Sequence, residues 1–235
     1  KALINRLGFN NHGSEVISKR ISNNQPNGIW GINIGHNKDT KNKEEDYYTC
    51  LTKLSFHASY VTINISSPNT EGLRKFHDQK EMEKLLRGLN KIKKDKKIDQ
   101  PIVIKLSPDI DDTNTSKIIE LVKKYNIQGI IVSNTTDSNR EKLSDAKKNE
   151  TGGLSGLPLK DISTNLIKKF YKETKGEIKI IGVGGVDSGQ SAFEKITAGA
   201  DAVQLYTGMV YKGPNIVKDI KKELISILKK ENLKD

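Results

Sequence analysis

The chain has 235 residues and a formal net charge of +11, from 40 lysine and arginine residues against 29 aspartate and glutamate residues. A single cysteine excludes an internal disulfide bond and a cysteine-rich zinc or iron–sulfur site. The four histidines lack the spacing of metal ligands, and no apolar run approaches the ~20 residues of a membrane-spanning helix. We therefore expect a globular protein with a charged surface and no metal.

The positive charge has two interpretations. An excess of lysine can bind nucleic acid or an anionic membrane. Most lysines here lie at helical spacing among acidic residues, as in residues 91–97 and 218–230, and only 6% of residues are aromatic. This pattern favours solvated outer helix faces and no nucleic-acid partner. A basic nucleic-acid-binding fragment without catalysis is the remote alternative.

Short apolar runs alternate with helical patterns along the chain, after a polar segment at residues 1–13 that is predicted to be a loop following an upstream strand. Strands are predicted at residues 28–35, 60–63, 101–108, 129–136, 178–185 and 202–207. Helices are predicted at residues 43–56, around 82–89, at about 115–125, and at 159–171, 188–198 and 215–230. The alternation indicates right-handed βα units and a parallel sheet.

Two architectures have this alternation, an open doubly wound sheet and a (β/α)8 barrel. An open sheet gathers its ligand-binding residues at one switch point, whereas a barrel uses the carboxyl ends of all its strands. Here nearly every strand ends in polar or glycine residues, such as Asn33, Asn64 and Lys105. The prediction is therefore a (β/α)8 TIM barrel, one domain over residues 1–235, whose first strands lie upstream of Lys1.

Residues 60–74 contain the first candidate site, because a β-branched strand leads directly into a loop of hydroxyls and amides. Pro68 fixes its own φ and pushes Ser67 toward an extended conformation, which holds the serine at a defined angle. The alternative is an ordinary turn of serine, proline and asparagine.

The last two strands lead into a second candidate site, with glycines at residues 182–185 and the sequence Gln-Leu-Tyr-Thr-Gly at 204–208. Glycines let backbone N–H groups approach an anion, and the short helix beginning near Ser188 would direct its positive end at that anion. Barrels commonly bind phosphate at the loops after strands seven and eight. This pattern favours a phosphate site over simple tight turns.

Lys105 interrupts an apolar strand, which costs free energy unless a charged partner or cofactor accepts it. The alternative is that its side chain extends from the strand end into solvent. Side-chain amides recur at strand ends, and they suit a planar ligand with alternating C=O and N–H groups. These amides belong to Asn5, Asn33, Asn64, Asn69 and Asn134.

These residues also carry a family resemblance. Residues 64–70 (NISSPNT), followed by Gly-Leu-Arg at 72–74, resemble the serine loop of class 2 dihydroorotate dehydrogenase, the FMN-dependent and quinone-linked enzyme of pyrimidine synthesis. Residues 5–10, 31–35, 132–136 and 150–156 and both terminal glycine and tyrosine motifs are similar to the same family in the same order. The resemblance covers essentially the whole chain.

The resemblance implies a role for each candidate residue. Ser67 would take the proton from C5 of dihydroorotate while hydride leaves C6 for FMN, and a serine rather than a cysteine here argues for class 2. Implied substrate-binding residues are Asn5, Arg6, Leu7, Gly8, Phe9, Asn64, Asn69, Asn134 and Thr135. Implied cofactor-binding residues are Asn5, Asn33, Asn64, Lys105, Ser133, Gly156, Gly184, Gly185, Tyr206 and Thr207.

The resemblance also implies partners and a location. Dihydroorotate would be oxidised to orotate, and a ubiquinone-type membrane quinone would receive the electrons. Membrane association would use an amino-terminal region absent from this sequence, and the protein would lie peripherally on the mitochondrial inner membrane. The nearest alternative is a class 1-like FMN barrel that acts on a pyrimidine with NAD or fumarate as second substrate.

Overall fold

The computed structural model describes residues 1–69 and 78–231. Its contacts group them into two compact units, which we call unit A (residues 7–106 and 110–129) and unit B (residues 1–6, 107–109 and 130 onward). Each unit contains strands that alternate with helices. The interpretation of residues 1–235 as one domain stays a prediction.

The elements follow the chain in this order. The strands are β1 Ala2–Asn5, β2 Gly31–Ile34, β3 Tyr60–Asn64, β4 Ile102–Leu106, β5 Gly129–Val132, β6 Gly153–Gly156, β7 Lys179–Val183 and β8 Ala202–Gln204. The helices are α1 Gly13–Asn23, α2 Lys43–Leu54, α3 Gln79–Lys96, α4 Asp112–Lys124, α5 Lys160–Thr174, α6 Gly189–Thr197, α7 Thr207–Lys212 and α8 Ile216–Lys230.

In unit A, β2, β3 and β4 lie side by side in that order and run parallel. The register places Asn33 opposite Thr62 and Asn64 opposite Lys105. Strands β3 and β4 are buried along most of their length, which explains their nearly continuous apolar and β-branched sequences. Asn33, Asn64 and Lys105 lie at or next to the carboxyl ends of these strands.

Helix α3 shows why the intervening segments of unit A are helical. Its N-cap Asp78 accepts hydrogen bonds from two first-turn amides, those of Lys80 and Glu81. The helix ends at Lys97, which adopts a left-handed conformation. The helix packs against α2 and α4, and its buried residues recur at helical spacing: Met82, Leu85, Leu86 and Leu89.

In unit B, β5, β7 and β8 lie side by side in that order, and β7 pairs in parallel with β8. Strand β1 pairs antiparallel with β6, with Ala2 opposite Gly156 and Asn5 opposite Gly153. Helices α6 and α8 share a small apolar cluster, formed by Val186, Ala192, Ile216 and Ile220. This cluster holds α6 close behind the turn that follows β7.

Each predicted strand and each predicted helix is present, with ends that differ by a few residues, which confirms the α/β class. The prediction of a loop at residues 1–13 is wrong, because residues 2–5 form β1 and α1 begins at Gly13. Helices α1 and α7 and strand β6 were not predicted. Strands β1 and β6 have four residues each, α7 has six, and α1 buries no residue, so none carries a clear periodic signal.

Candidate active site

The serine loop leaves β3 in unit A through a fully hydrogen-bonded turn at Asn64. The Asn64 carbonyl accepts a hydrogen bond from the hydroxyl of buried Tyr47 at 2.7 Å. The Asn64 side-chain oxygen accepts hydrogen bonds from the amide and the hydroxyl of Ser66, at 3.2 and 3.3 Å. Asn64 and Ser66 are both buried, so the start of the loop is fixed by the protein itself.

Ser67 is the first residue of the loop with partial exposure. Its hydroxyl oxygen accepts a hydrogen bond from the backbone amide of Asn69 at 3.2 Å. That bond fixes the position of the oxygen and favours negative charge on it, since an N–H donor stabilises an alkoxide more than a hydroxyl. Residues 70–74, which belong to the motif that resembles the family, lie outside the described residues.

Three residues of unit A that the resemblance assigns to FMN lie on one face of its sheet. Residues opposite each other in parallel strands project to the same face, as do residues two apart along one strand. The register Asn33–Thr62 and Asn64–Lys105 therefore places Asn33, Asn64 and Lys105 on one face. Asn33 on β2 is exposed, Lys105 on β4 is half-buried and Asn64 on β3 is buried, so the side chains on this face are most buried at the central strand.

Lys105 is a cation on this otherwise uncharged part of the face. Burial lowers the pKa of its ammonium group, because the folded protein replaces some of the water that would solvate the charge. A lysine in such a position gains free energy when an anion or an electron-rich ligand atom approaches it. The arrangement therefore suits a ligand with partial negative charge.

The segment that precedes α1 contacts the serine loop within unit A. Gly8 and Phe9 both have positive φ, and a Cβ atom at Gly8 would lie 3.7 Å from the Asn69 carbonyl oxygen. The Phe9 ring packs against Gly35, where a Cβ atom would lie 3.1 Å from the ring. Leu7 is largely exposed. Of residues 7–9, which the resemblance assigns to the substrate, Gly8 thus lies beside Asn69 and Phe9 beside Gly35.

In unit B, the predicted residues Asn5 and Arg6 hold the end of β1 to the loop before β6. The Asn5 side-chain amide donates to the Gly153 carbonyl at 3.5 Å, and Arg6 donates to Glu150 at 3.1 Å and to the Thr151 carbonyl at 2.9 Å. Arg6 and its Glu150 partner are both exposed. This geometry gives Arg6 a structural contact in the described residues.

The loop after β5 is held by an aspartate that the sequence analysis did not single out. Thr136 donates a hydrogen bond from its hydroxyl to Asp109 at 2.6 Å, while the Thr135 amide donates to the side-chain oxygen of Asn134 at 2.8 Å. Ser133 is buried, and its amide donates to the Val183 carbonyl at 3.0 Å. Asp109 therefore orients the loop that carries Asn134 and Thr135.

The turn after β7 requires glycine at two successive positions. Gly184 and Gly185 have φ values of +120° and +71°, which other residues rarely adopt. A Cβ atom at Gly185 would lie 2.6 Å from Lys160, and one at Gly184 would lie 2.8 Å from the Ser163 hydroxyl. The turn is therefore packed directly on the first turn of α5.

Gly156, Tyr206 and Thr207 also belong to this region of unit B. A Cβ atom at Gly156 would lie 3.0 Å from the Thr207 methyl group, and the Thr207 hydroxyl donates to Ser155 at 2.9 Å. Tyr206 is 69% exposed and precedes the first turn of α7. The structure thus places Gly156 and Thr207 in contact.

The predicted anion site at the start of the helix near Ser188 needs correction. The amide of Gly189 donates to the Glu223 carboxylate at 2.5 Å, and the Ser191 amide donates to the Ser188 hydroxyl at 3.2 Å. These bonds satisfy first-turn amides of α6 and place a negative charge beside them. The sequence pattern identified the helix and its N-cap Ser188, but it could not show that Glu223, on α8, accepts a hydrogen bond from the first-turn amide of Gly189.

Comparison with known proteins assigns the family. The dihydroorotate dehydrogenase family model matches residues 1–228. The chain belongs to the dihydroorotate dehydrogenase family. A relative from Bartonella tribocorum, named dihydroorotate dehydrogenase (quinone), is 42% identical over 100% of this chain and 67% of its own length. One from Chromobacterium violaceum with the same name is 42% identical over 99% of this chain and 69% of its own length.

Solved dihydroorotate dehydrogenases share this fold. The ligand-free enzyme of Eimeria tenella superposes with a TM-score of 0.95 at 33% identity, covering 100% of this chain and 72% of that one. Its complex with ferulenol gives a TM-score of 0.93 at 34% identity, covering 98% of this chain and 68% of that one. These likenesses confirm the predicted barrel class and the predicted family.

The predicted location at the mitochondrial inner membrane is wrong. The two curated relatives described above come from the bacteria Bartonella tribocorum and Chromobacterium violaceum, and bacteria contain no mitochondria. The prediction treated the quinone-linked class as mitochondrial, whereas bacterial proteins carry the same name. Within residues 1–69 and 78–231, no helix is long and apolar enough to cross a membrane.

Proposed function

We propose that the chain carries the catalytic residues of a quinone-linked dihydroorotate dehydrogenase, which oxidises dihydroorotate to orotate in pyrimidine synthesis and passes the electrons through FMN to a quinone. Family membership and the names of the relatives support the reaction and the acceptor. The observation that carries the proposal is the unit A face, where Asn33, Asn64 and Lys105 share one side of the sheet and β3 leads into Ser67.

The described residues fit FMN in each unit. In unit A, the half-buried Lys105 offers positive charge to an electron-rich ring edge, and Asn33 and Asn64 offer amide donors and acceptors. In unit B, the Gly184–Gly185 turn is packed against α5 without side chains of its own, and its backbone N–H groups would be the donors to the FMN phosphate. We assign Ser133, Gly156, Tyr206 and Thr207 to the same cofactor and Asn5 to both ligands.

Ser67 is proposed to remove the proton from C5 of dihydroorotate. A free serine is a weak base, so the step depends on position and on simultaneous departure of hydride from C6. The Asn69 amide supports it, because this donor holds the Ser67 oxygen in place and makes it easier for the hydroxyl to release its own proton to solvent as the oxygen accepts the C5 proton. FMN, when bound, would accept the hydride. The proposed contacts to the pyrimidine ring come from Arg6, Leu7, Gly8, Phe9, Asn64, Asn69, Asn134 and Thr135.

Stopped-flow absorption of the FMN-loaded protein tests this role. Under anaerobic conditions, Ser67→Ala should keep bound FMN yet reduce it with dihydroorotate at least a hundredfold more slowly, which is the usual scale of a lost acid–base group. The matched comparison is Ser66→Ala, which removes a hydroxyl from the same loop: because Ser66 is buried and hydrogen-bonded to Asn64, this variant should lower stability but slow flavin reduction far less than Ser67→Ala. Near-normal reduction by Ser67→Ala would remove Ser67 from the mechanism.

The electron acceptor distinguishes the proposed quinone-linked enzyme from the nearest alternative, a class 1-like enzyme. A class 1-like enzyme would reoxidise its flavin with NAD or fumarate, whereas the proposed enzyme uses a membrane-dissolved quinone and therefore works at a membrane surface. Steady-state turnover in detergent should occur with a ubiquinone analogue and not with NAD or fumarate. Turnover with either soluble acceptor alone would favour the rival.

A further inference from the structure

Lys195 is a fully buried lysine in unit B that the proposed mechanism does not use. It lies on α6, and its side chain is 0% exposed. Its ammonium donates to the Lys160 carbonyl at 3.0 Å, to the Ser163 hydroxyl at 2.7 Å and to the Thr164 hydroxyl at 2.7 Å. An ammonium has three N–H donors, so all of them are directed at protein acceptors and none remains for a ligand.

Ser163 connects this ammonium to the glycine turn. Its hydroxyl lies 3.3 Å from two carbonyl oxygens, those of Gly184 and Lys160. The Lys160 carbonyl already accepts hydrogen bonds from Lys195 and from the Thr164 hydroxyl. Because Ser163 has one proton to donate and receives one from Lys195, that proton is best used by the Gly184 carbonyl.

Fixing the Gly184 carbonyl also fixes the next amide. In a trans peptide the C=O and the following N–H point in opposite directions. With the Gly184 carbonyl directed at Ser163, the Gly185 N–H must point away from α5. The alternative orientation would turn the Gly185 amide toward the α5 backbone, against which Gly185 is already packed.

We propose that Lys195 is a positioning residue for a phosphate-binding turn, acting through Ser163 to hold the Gly184–Gly185 peptide so that its N–H faces the flavin phosphate. This inference rests on the proposed function, which assigns Gly184 and Gly185 to the cofactor. Lys195 touches neither cofactor nor substrate. Its ammonium also adds a fixed positive charge behind the turn, which favours an anion on the other side.

The charge balance around Lys195 supports a role beyond packing. Burial lowers the pKa of its ammonium to about 8, and nearby Lys160 acts in the same direction, while Glu194 and Asp161 raise it. Glu194 is itself paired with the Lys160 ammonium at 2.8 Å. A buried charge of this kind stabilises a fold less than an apolar side chain of equal volume would. The three hydrogen bonds that the Lys195 ammonium donates give it a positioning role that an apolar side chain could not perform.

Two neighbouring hydroxyls provide a matched pair for the test. Ser163→Ala removes the link from the ammonium to the Gly184 carbonyl. Thr164→Val removes an equally short hydrogen bond to the same ammonium, but Thr164 donates to Lys160 rather than to the glycine turn. Lys195→Met removes the charge and all three donors at similar volume. Thermal unfolding of each variant, monitored by circular dichroism, establishes which variants fold.

The readout is the dissociation constant of the flavin-free protein for FMN and for riboflavin, followed by flavin fluorescence. Riboflavin has the same ring and ribityl chain without the phosphate. Ser163→Ala should weaken FMN binding roughly tenfold and riboflavin binding less than twofold, because one directed hydrogen bond is lost. Lys195→Met should act in the same way, and Thr164→Val should change neither constant by more than about twofold.

Two results would overturn the role of Lys195, and a third would overturn the phosphate site on which that role depends. Equal effects of Ser163→Ala and Thr164→Val on FMN, or equal losses for FMN and riboflavin, would mean that the network only stabilises the fold. If Lys195→Met does not fold, the comparison of Ser163→Ala with Thr164→Val still shows whether the network positions the glycine turn. A wild-type protein that binds FMN no more tightly than riboflavin would overturn the proposed phosphate site itself.

Discussion

Tyr47 shows how one side chain supports the serine loop. It is fully buried, and its hydroxyl donates a hydrogen bond to the Asn64 carbonyl at 2.7 Å. Asn64 is the last residue of β3, shortly before Ser66 and Ser67. Tyr47→Phe keeps the ring and leaves that carbonyl without this donor. We expect a loss of about 1 kcal/mol in the free energy of unfolding, measured by urea titration, and slower flavin reduction by dihydroorotate.

Tyr48→Phe is the control for this change. Tyr48 is the next residue on α2 and is only partly buried, and its hydroxyl makes no hydrogen bond in the described part of the chain. The control variant should retain both stability and reduction rate. If the two variants lost equal stability, the hydrogen bond to Asn64 would contribute nothing specific.

Single residues of the site were predictable where a local pattern marked them. Ser67, Lys105 and Asn64 stand out because polar groups interrupt or follow apolar strands. Tyr47 and Asp109 could not be found in this way, since a tyrosine at helical spacing indicates only core, and Asp109 acts on Thr136, 27 residues further on. Their roles depend on contacts that exist only after folding.

At the scale of elements, α6 carries a pH-dependent contribution to stability. Burial lowers the pKa of Lys195 from its ordinary 10.5 to about 8. Between these values the unfolded lysine binds a proton that the folded one has released, so the free energy of unfolding rises with pH through this window. The rise should be on the order of 3 kcal/mol, and it should be absent below pH 8.

Chemical unfolding at several pH values from 7 to 10.5 measures this contribution when wild type is compared with Lys195→Met. Lys105, whose pKa burial also lowers, titrates in both proteins and therefore cancels in the difference. The variant should lose the part of the rise that belongs to Lys195. Parallel curves for the two proteins would show that Lys195 keeps its ordinary pKa in the folded state.

Whole elements were predictable where they are long and regularly patterned. Helix α3 buries four residues at helical spacing and carries an aspartate N-cap, and both features are visible in the sequence. The β1–β6 pair joins residues about 150 positions apart, and β6 reads Gly-Leu-Ser-Gly, a composition with low strand propensity. The carboxylate at the start of α6 likewise comes from a different helix, α8.

At the scale of the whole molecule, part of the excess positive charge behind the net +11 is paired with acidic residues within the described part of the chain. Lysines on several helices pair with acidic residues, including Lys84 with Glu44 at 2.5 Å and Lys124 with Glu83 at 2.7 Å. The pair of Lys124 with Glu83 is partly exposed and contributes little to stability, whereas Glu44 is buried; both pairs lower the local positive potential. This arrangement agrees with the expectation of solvated helix faces.

FMN should stabilise the whole chain through Lys105. A ligand that binds only the folded state adds about 2.7 kcal/mol at a concentration of 100 times Kd. For a chain of this size that corresponds to a rise in Tm of roughly 5 to 10 °C. Lys105→Met should lose most of this rise, because the half-buried cation no longer meets the ligand, while Ser67→Ala should keep it. A full shift in Lys105→Met would mean that the lysine does not contact the flavin.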